Sequence, residues 1–320
     1  MKIEFLKRSL MILTLTFNSS LFAQWPHNDL IPPELAQANE HFLAARYQDA
    51  ARDLVELLKT VQRTEVTESA LVLFDAVLKS NNCDTSFVDW TLPDGVNGLR
   101  VSQMRREQAG KLSFRFDISG NTKSRDTISQ LKVRHADGRV ILDKNAALGE
   151  WGIKREDDGF KFVLEQERQL RPIDSGLYFI DIVTSSNQKV EGYVIVSNHV
   201  SSETPVVLRP RVHESLTNRL GVFSWEDFKS PEMTACEWRY QYGSIREINT
   251  DPEVWDFDRH DADLITKADL SDLTIKNGKY VFSIRYGESR KFGPVKIRRL
   301  SHKVVPFSVV SESRDTTRGK

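Results

Sequence analysis

The sequence predicts a mainly β protein with an N-terminal α-helical cap, followed by two tandem immunoglobulin-like β-sandwich domains. Residues 32–79 place apolar side chains at helical spacing, whereas the segments after Cys83 alternate apolar and polar residues. Turn residues separate these alternating segments at short intervals. No helical pattern alternates with the strands, so a parallel α/β fold is disfavoured.

Residues 1–23 have the pattern of a secretory signal peptide. Lys2, Lys7 and Arg8 precede a short apolar run, and a polar break leads to the small residue Ala23. The apolar run is far shorter than the roughly 20 residues of a membrane span. We therefore expect a cleaved leader and a periplasmic mature chain that does not insert into the membrane.

The charge balance argues against several classes of partner. The chain has 45 basic and 45 acidic residues, and three basic residues and one acid lie within the leader. A near-neutral mature chain has no general electrostatic attraction to nucleic acid or to anionic lipid. Nucleic acid is therefore not an expected partner.

Residues 24–82 are predicted to form the helical cap. Two amphipathic helices are separated by the polar segment 45–49, and a third helix is predicted over residues 67–78. The first two match the spacing of one tetratricopeptide-type hairpin at Ala38, Tyr47, Ala50, Leu54 and Leu57. One such unit cannot bury its own apolar face, so we expect it to dock on another element.

The β region is predicted to contain two sandwiches, at residues 83–198 and 204–310. In the first, residues 111–119 alternate as a half-buried strand, and turns are predicted at Asp137–Gly138 and at residues 185–188. A polar linker is predicted at residues 199–203. Residues 311–320 contain no apolar side chain and are predicted to be disordered.

Cys83 and Cys236 are the only cysteines. In an oxidising compartment the expected state of two lone cysteines is a disulfide, which here would join the cap to the second sandwich. Two alternatives stay open at this point, namely two separate buried thiols or a catalytic cysteine. Neither residue lies in a CxxC motif or a recognisable nucleophile signature.

The densest polar segment spans residues 251–264 and contains Asp256, Asp258, Asp261 and Asp263. Closely spaced oxygen ligands suit calcium, but the segment lacks the glycine and the glutamate of an EF-hand loop. We interpret it as a solvated acidic loop with weak binding potential. His260 alone is too few histidines for zinc, and we predict neither a metal nor a cofactor.

Trp90 and Trp225 are predicted as weak ligand-binding residues. Each adjoins an acid, Asp89 or Glu226, and tryptophan with carboxylates is typical of a sugar cleft. The alternative is that both rings belong to the core, as we predict for Trp238. The sequence has no serine-hydrolase elbow, P-loop or dinucleotide fingerprint, so we predict that the protein is not an enzyme.

Several segments resemble an exported Vibrio-type family of unknown function. They are "SGLYFIDIV" at residues 175–183, "ACEW" at residues 235–238, and the closing hairpin at residues 277–297. The resemblance covers nearly the whole mature chain. It implies a gene neighbourhood with a sensor kinase and a response regulator linked to envelope stress, and it brings no catalytic residues.

Two functions from different classes follow. The first is a non-enzymatic periplasmic interaction or binding module with a protein partner in the cell envelope, accessory to envelope-stress signalling. The second is a carbohydrate- or peptidoglycan-binding protein or hydrolase that uses tryptophan and carboxylate surfaces. The neutral charge, the helix pair that needs a partner and the lack of a catalytic motif favour the first.

Overall fold

A computed structural model describes most of the chain. The described residues are 32–61, 63–145, 152–157, 159–166, 168–197, 222–225, 236, 238–248, 253–260 and 265–309. The predicted leader (1–23), linker (199–203) and tail (311–320) lie outside them. Within the described residues the protein is mainly β with a helical segment at its N-terminal end, as predicted.

The cap contains a 3₁₀ turn and three α-helices. The turn is Pro33–Leu35, and the helices are α1 (Ala36–Leu43), α2 (Tyr47–Thr60) and α3 (Thr64–Ser80). Prolines are well suited to a first helical turn, and the chain leaves α1 at Ala45 in a left-handed conformation. In α2, Ala50, Leu54 and Leu58 recur at the spacing of one face and are buried. No helix among the described residues combines the length and apolarity needed to cross a membrane.

Fourteen strands follow in the described chain. They are β1 (Val96–Gln108), β2 (Lys111–Thr122), β3 (Ile128–His135), β4 (Val140–Asn145), β5 (Gly152–Glu156), β6 (Gly159–Glu165), β7 (Gly176–Thr184), β8 (Lys189–Val196), β9 (Val222–Ser224), β10 (Trp238–Glu247), β11 (Glu253–His260), β12 (Lys267–Asp269), β13 (Gly278–Phe292) and β14 (Val295–Val309). The predicted turns at Asp137–Gly138 and at residues 185–188 connect β3 to β4 and β7 to β8.

The strands form one large sheet, one small sheet and a short pair. The large sheet has eight strands in the order β11-β10-β13-β14-β1-β2-β6-β5, the small sheet has the order β4-β3-β7-β8, and β9 pairs with β12. Residues 99–108 of β1 pair in parallel with residues 295–304 of β14. The large sheet therefore contains strands from both predicted sandwiches, and two tandem immunoglobulin-like domains are not confirmed.

One face of the large sheet covers two hydrophobic cores. The first lies against the small sheet and the cap and includes Phe292, Val295 and Ile297. The second lies beneath the β9–β12 pair and includes Phe282 and Ile284. Because β13 contributes to both cores, the two regions share a continuous framework.

The cap packs onto the turn between β13 and β14. Phe74 of α3 contacts Phe292 with ring centroids 6.1 Å apart, and Phe87 contacts both rings. Arg290 is buried and donates to an Asp75 carboxylate oxygen at 2.9 Å and to the Ile195 carbonyl oxygen at 3.1 Å. These contacts dock α3 on the large sheet. The α1–α2 hairpin docks in turn, because α2 packs against α3 and also contacts β7.

The predicted disulfide between Cys83 and Cys236 is confirmed, with the two Cα atoms 5.2 Å apart. Cys83 follows α3, and Cys236 lies two residues before β10 and packs against the first core. The bond therefore joins the cap to the large sheet across 153 residues of chain. The alternatives of free or catalytic thiols are excluded, since neither sulfur is free.

Replacing Gly192 by alanine is expected to lower the free energy of unfolding by about 1–3 kcal/mol, because the new methyl group overpacks the core. The added Cβ would lie 2.5 Å from atoms of the Trp90 ring. Gly98→Ala is the matched control, because a Cβ there meets nothing within 4 Å. Urea denaturation measures both variants, and equal stability of the two would contradict the fixed position of the Trp90 ring.

Candidate functional site

The tryptophans predicted to bind ligand are buried in the structure. Trp90 is 8% exposed and its Nε1–H donates to the Tyr193 carbonyl oxygen at 3.0 Å. Trp225 is 3% exposed and donates to the Ile265 carbonyl oxygen at 2.8 Å. Rings held in this way have no free face for a sugar, so the structure supports the core alternative for both.

The prediction that the Trp238 ring belongs to the core is wrong. Its side chain is 54% exposed rather than buried. The reason is the alternation of β10, where Gln241 and Ile245 point toward the core side and Trp238 points to the other face of the large sheet.

The acidic segment is a strand where it is described, not a loop. Asp256 and Asp258 lie on β11, at the edge of the large sheet, and both are exposed. Asp261 and Asp263 lie outside the described residues. Within the described part of the chain, no three His, Cys, Asp or Glu side chains are grouped to hold a metal ion.

The open face of the large sheet, opposite the two cores, carries a concentration of basic side chains. Leu99 and Val101 of β1 and Val295 and Ile297 of β14 point into the first core, so the residues between them point outward. We call this outward surface the basic face and define it by Arg100, Arg106, Arg115, Arg246, Arg285, Lys291, Lys296 and Arg298.

At one end of the basic face, arginines surround a histidine. Arg106 of β1, His302 of β14 and Arg285 of β13 are direct cross-strand neighbours, and adjacent strands lie about 4.8 Å apart. Burial, followed by the charges of Arg285, Arg106, Arg246 and Arg115, lowers the pKa of His302 to about 3. The Ser283 hydroxyl lies 2.7 Å from His302 Nε2. We call these four arginines and His302 the arginine–histidine cluster.

Few carboxylates offset this cluster. Arg115 lies 2.9 Å from Glu165 and 3.7 Å from Asp117. Arg106 and Arg285 form no ion pair within the described residues. Burial and then four neighbouring arginines lower the pKa of Arg106. Like charges held together raise the free energy of the unliganded protein, and a bound anion would relieve this cost.

The other end of the basic face forms a cleft of about 520 Å³. Its lining includes Arg100, Lys161, Lys291, Lys296 and the exposed ring of Trp238. The Lys296 ammonium lies 5.8 Å from the centre of that ring. Partial burial, then the charges of Arg100 and Arg298, lower the pKa of Lys296. We call this the basic cleft.

Tyr240 and Arg298 connect the two ends. The Tyr240 ring lies against Gly287, where an added Cβ would approach it to 2.0 Å. The Arg298 guanidinium lies 4.8 Å from the centre of that ring and donates to the Tyr240 hydroxyl. Lys296 and His302 are six residues apart on β14, so the basic face extends over about 20 Å along the strand.

The basic face could not be predicted from the sequence because its parts come from opposite ends of the β region. The alternating cations are visible in "RVSQMRR" at residues 100–106 and in "KIRRLSHK" at residues 296–303. Their combination depends on the parallel pairing of β1 with β14, for which the sequence offers no local signal.

As pH is lowered below about 7, we expect the free energy of unfolding to decrease more steeply in the wild type than in a His302→Gln variant. The folded pKa of His302 is about 3, below its ordinary value of 6.5, so between these values the unfolded chain binds a proton that the folded chain does not. From about pH 7 to about pH 4.5 the wild type should lose about 2 kcal/mol more than the variant. Urea denaturation at the two pH values measures this, and equal losses would contradict the assignment.

Fold and site together define a disulfide-linked, mainly β protein with a helical cap and a basic sheet face. The chain belongs to a family described as "Protein of unknown function (DUF2861)", whose model matches residues 32–302. The match spans the cap, most of both sheets and the whole basic face. No curated protein matches the chain. The resemblance to a family of unknown function is thereby confirmed, whereas the Vibrio origin and the gene neighbourhood stay predictions.

Proposed function

We propose that the protein is a non-enzymatic binding module of the periplasm whose basic face binds an anionic polysaccharide. The observation that carries this proposal is the arginine–histidine cluster, where Arg106, Arg285 and their neighbours lie together with few counter-charges. A surface lined by one sign of charge concentrates ligands of the opposite sign. The neutral total charge of the chain does not weaken this local attraction.

The basic cleft supports a sugar as part of the ligand. An exposed tryptophan ring provides a flat apolar surface for the face of a sugar ring. Around Trp238, the Lys291, Lys296 and Arg100 side chains can pair with carboxylate, sulfate or phosphate groups on that sugar. Asn121 and Ser119 add neutral hydrogen-bonding groups to the same cleft.

The length of the basic face favours a polymer over a small anion. The basic cleft and the arginine–histidine cluster lie at opposite ends of a strip about 20 Å long. A ligand with charges at several positions can contact both ends at once, and the second contact then forms at a high effective concentration.

Binding without hydrolysis agrees with the acids that are present. Glu156 is the one carboxylate among the described residues that line the basic cleft, and it lies 3.6 Å from Lys161. Glycoside hydrolysis of the common kind needs two carboxylates across the scissile bond. The hydrolase alternative therefore gains no support from this cleft.

Export and partnership are part of the proposal. A disulfide is consistent with an exported protein, since such bonds persist in oxidising compartments. It would also hold the cap and the large sheet together during binding. A protein partner in the envelope and an accessory role in envelope-stress signalling stay predictions, and they now rest on the family resemblance alone, because the helix pair docks within the protein.

The direct test is fluorescence anisotropy with a labelled heparin oligosaccharide as a model anionic polysaccharide. We expect saturable binding that weakens as salt concentration rises, because salt screens the attraction between the partly exposed cations of the basic face and the charges of the polymer. A labelled neutral dextran of similar length is the control and should bind far more weakly. Equal binding of the two polymers, or no binding of the oligosaccharide at low salt, would contradict the proposal.

A further inference from the structure

A second cavity lies at the hairpin end of β1 and β2 in the large sheet, where the chain between β6 and β7 passes over it. The β1–β2 hairpin is long, and the inward side of β2 near its start presents Leu112, Phe114 and Phe116. Beyond the end of β6, Gln169 continues the pairing with β2 through two backbone hydrogen bonds with Phe114, of 2.8 and 2.9 Å. The chain then passes through Pro172 and Ile173 toward β7 and closes one wall.

The cavity has a volume of about 290 Å³ and an apolar interior. Phe116 is buried at its inner end and stacks on Tyr178, with ring centroids 6.2 Å apart. Leu112 is 37% exposed at the opening. Three arginines, Arg105, Arg115 and Arg171, line the cavity with Gln166 and Gln169, and its described lining contains no acid.

We infer that this cavity binds a single-chain amphiphile with an anionic head group, such as a fatty acid. Apolar walls favour an alkyl chain because each buried methylene contributes about 0.8 kcal/mol. The volume lies near the lower end of ligand pockets, about 300 Å³, and therefore suits one chain rather than two.

The arginines of the lining favour a negatively charged head group on the ligand. Arg115 is already paired with Glu165 at 2.9 Å, whereas Arg171 is exposed and has no ion pair within the described residues. The carboxylate of a bound chain would lie at the opening of the cavity and pair with the Arg171 guanidinium, whose planar geometry allows two hydrogen bonds to a carboxylate. A cationic head group would meet only like charge.

The test is isothermal titration calorimetry with dodecanoate, below the concentration at which it forms micelles. We expect binding to the intact protein, and at least about tenfold weaker binding of dodecyltrimethylammonium, which has the same chain length but the opposite charge. Leu112→Trp, which fills the opening, and Arg171→Glu, which reverses the head-group contact, should each weaken dodecanoate binding by about tenfold or more.

Leu170→Ser is the matched control. Leu170 is 87% exposed beside the cavity but does not line it, so dodecanoate binding should not change. Thermal melting establishes that each variant is folded. The inference fails if dodecanoate does not bind, if both head groups bind equally, or if Leu112→Trp has no effect. It also fails if the protein binds phosphatidylglycerol vesicles through Leu170 but not monomeric dodecanoate.

The cavity shares Arg115 with the basic face, but its ligand can be tested separately from the proposed function. Loss of dodecanoate binding in Leu112→Trp with unchanged heparin binding would separate the two. Failure of the heparin titration would leave the dodecanoate experiment valid, since Leu112 and Arg171 lie outside the basic face.

Discussion

Removing the disulfide by the double substitution Cys83→Ala/Cys236→Ala is expected to lower the free energy of unfolding by about 2–5 kcal/mol. The value should lie near the upper end, because the bond closes a loop across 153 residues. In the chain-entropy model, the cost of closing such a loop in the unfolded state is about 5 kcal/mol. Urea denaturation of the oxidised wild type and the variant measures the difference.

The reduced wild-type protein is the control for this experiment. It lacks the bond but keeps both sulfur atoms, so it should unfold close to the double variant rather than close to the oxidised protein. The cap should also become easier to cleave by protease, because non-covalent contacts, such as those of Phe74 and Asp75 with β13 and of α2 with β7, then hold it without a covalent link. A loss of stability below about 1 kcal/mol would show that the native contacts alone hold the cap in place.

The second large effect concerns binding. Arg106→Glu/Arg285→Glu is expected to weaken heparin-oligosaccharide binding by about 100-fold or more, because two attractive contacts become repulsive ones. Both residues flank His302 on adjacent strands. The free energy of unfolding should fall little or rise. The substitutions replace two arginines that repel Arg115 and Arg246 by acids that attract them, and Arg106 and Arg285 form no ion pair with other described residues that would be lost.

The matched control is Arg52→Glu/Arg63→Glu. These arginines lie in the cap region, and their side chains are 61% and 68% exposed in surface ion pairs with Asp49 and Glu34. The change in total charge is the same, and loss of exposed ion pairs costs about 0–1 kcal/mol each. If both double variants lose affinity equally, total charge rather than the basic face governs binding.

Local features of the fold could be predicted from the sequence because their causes are local. The periodicity of residues 47–60 defines α2, and the Asp137–Gly138 turn defines the hairpin of β3 and β4. The pairing of Cys83 with Cys236 followed from their number and the expected compartment. Each of these inferences needs only neighbouring residues or a simple count.

The large sheet could not be predicted in the same way. The pairing of β1 with β14 joins strands from opposite ends of the β region, and the alternation within each strand does not identify its neighbour. The prediction that Trp238 lies in the core failed for the same reason. Alternation shows that one side of β10 is outward, but which side that is depends on where the core lies. Total charge concealed the basic face, since acids elsewhere cancel its cations in the sum.

The most direct test of the basic face as a binding surface is side-chain NMR of arginine Nε–Hε groups during titration with the heparin oligosaccharide. We expect the signals of Arg106, Arg285 and Arg298 to shift together and to saturate at one ligand concentration, whereas those of Arg52 and Arg63 stay in place. Binding by anisotropy with unmoved signals on the basic face, or with shifts confined to the cap, would contradict it.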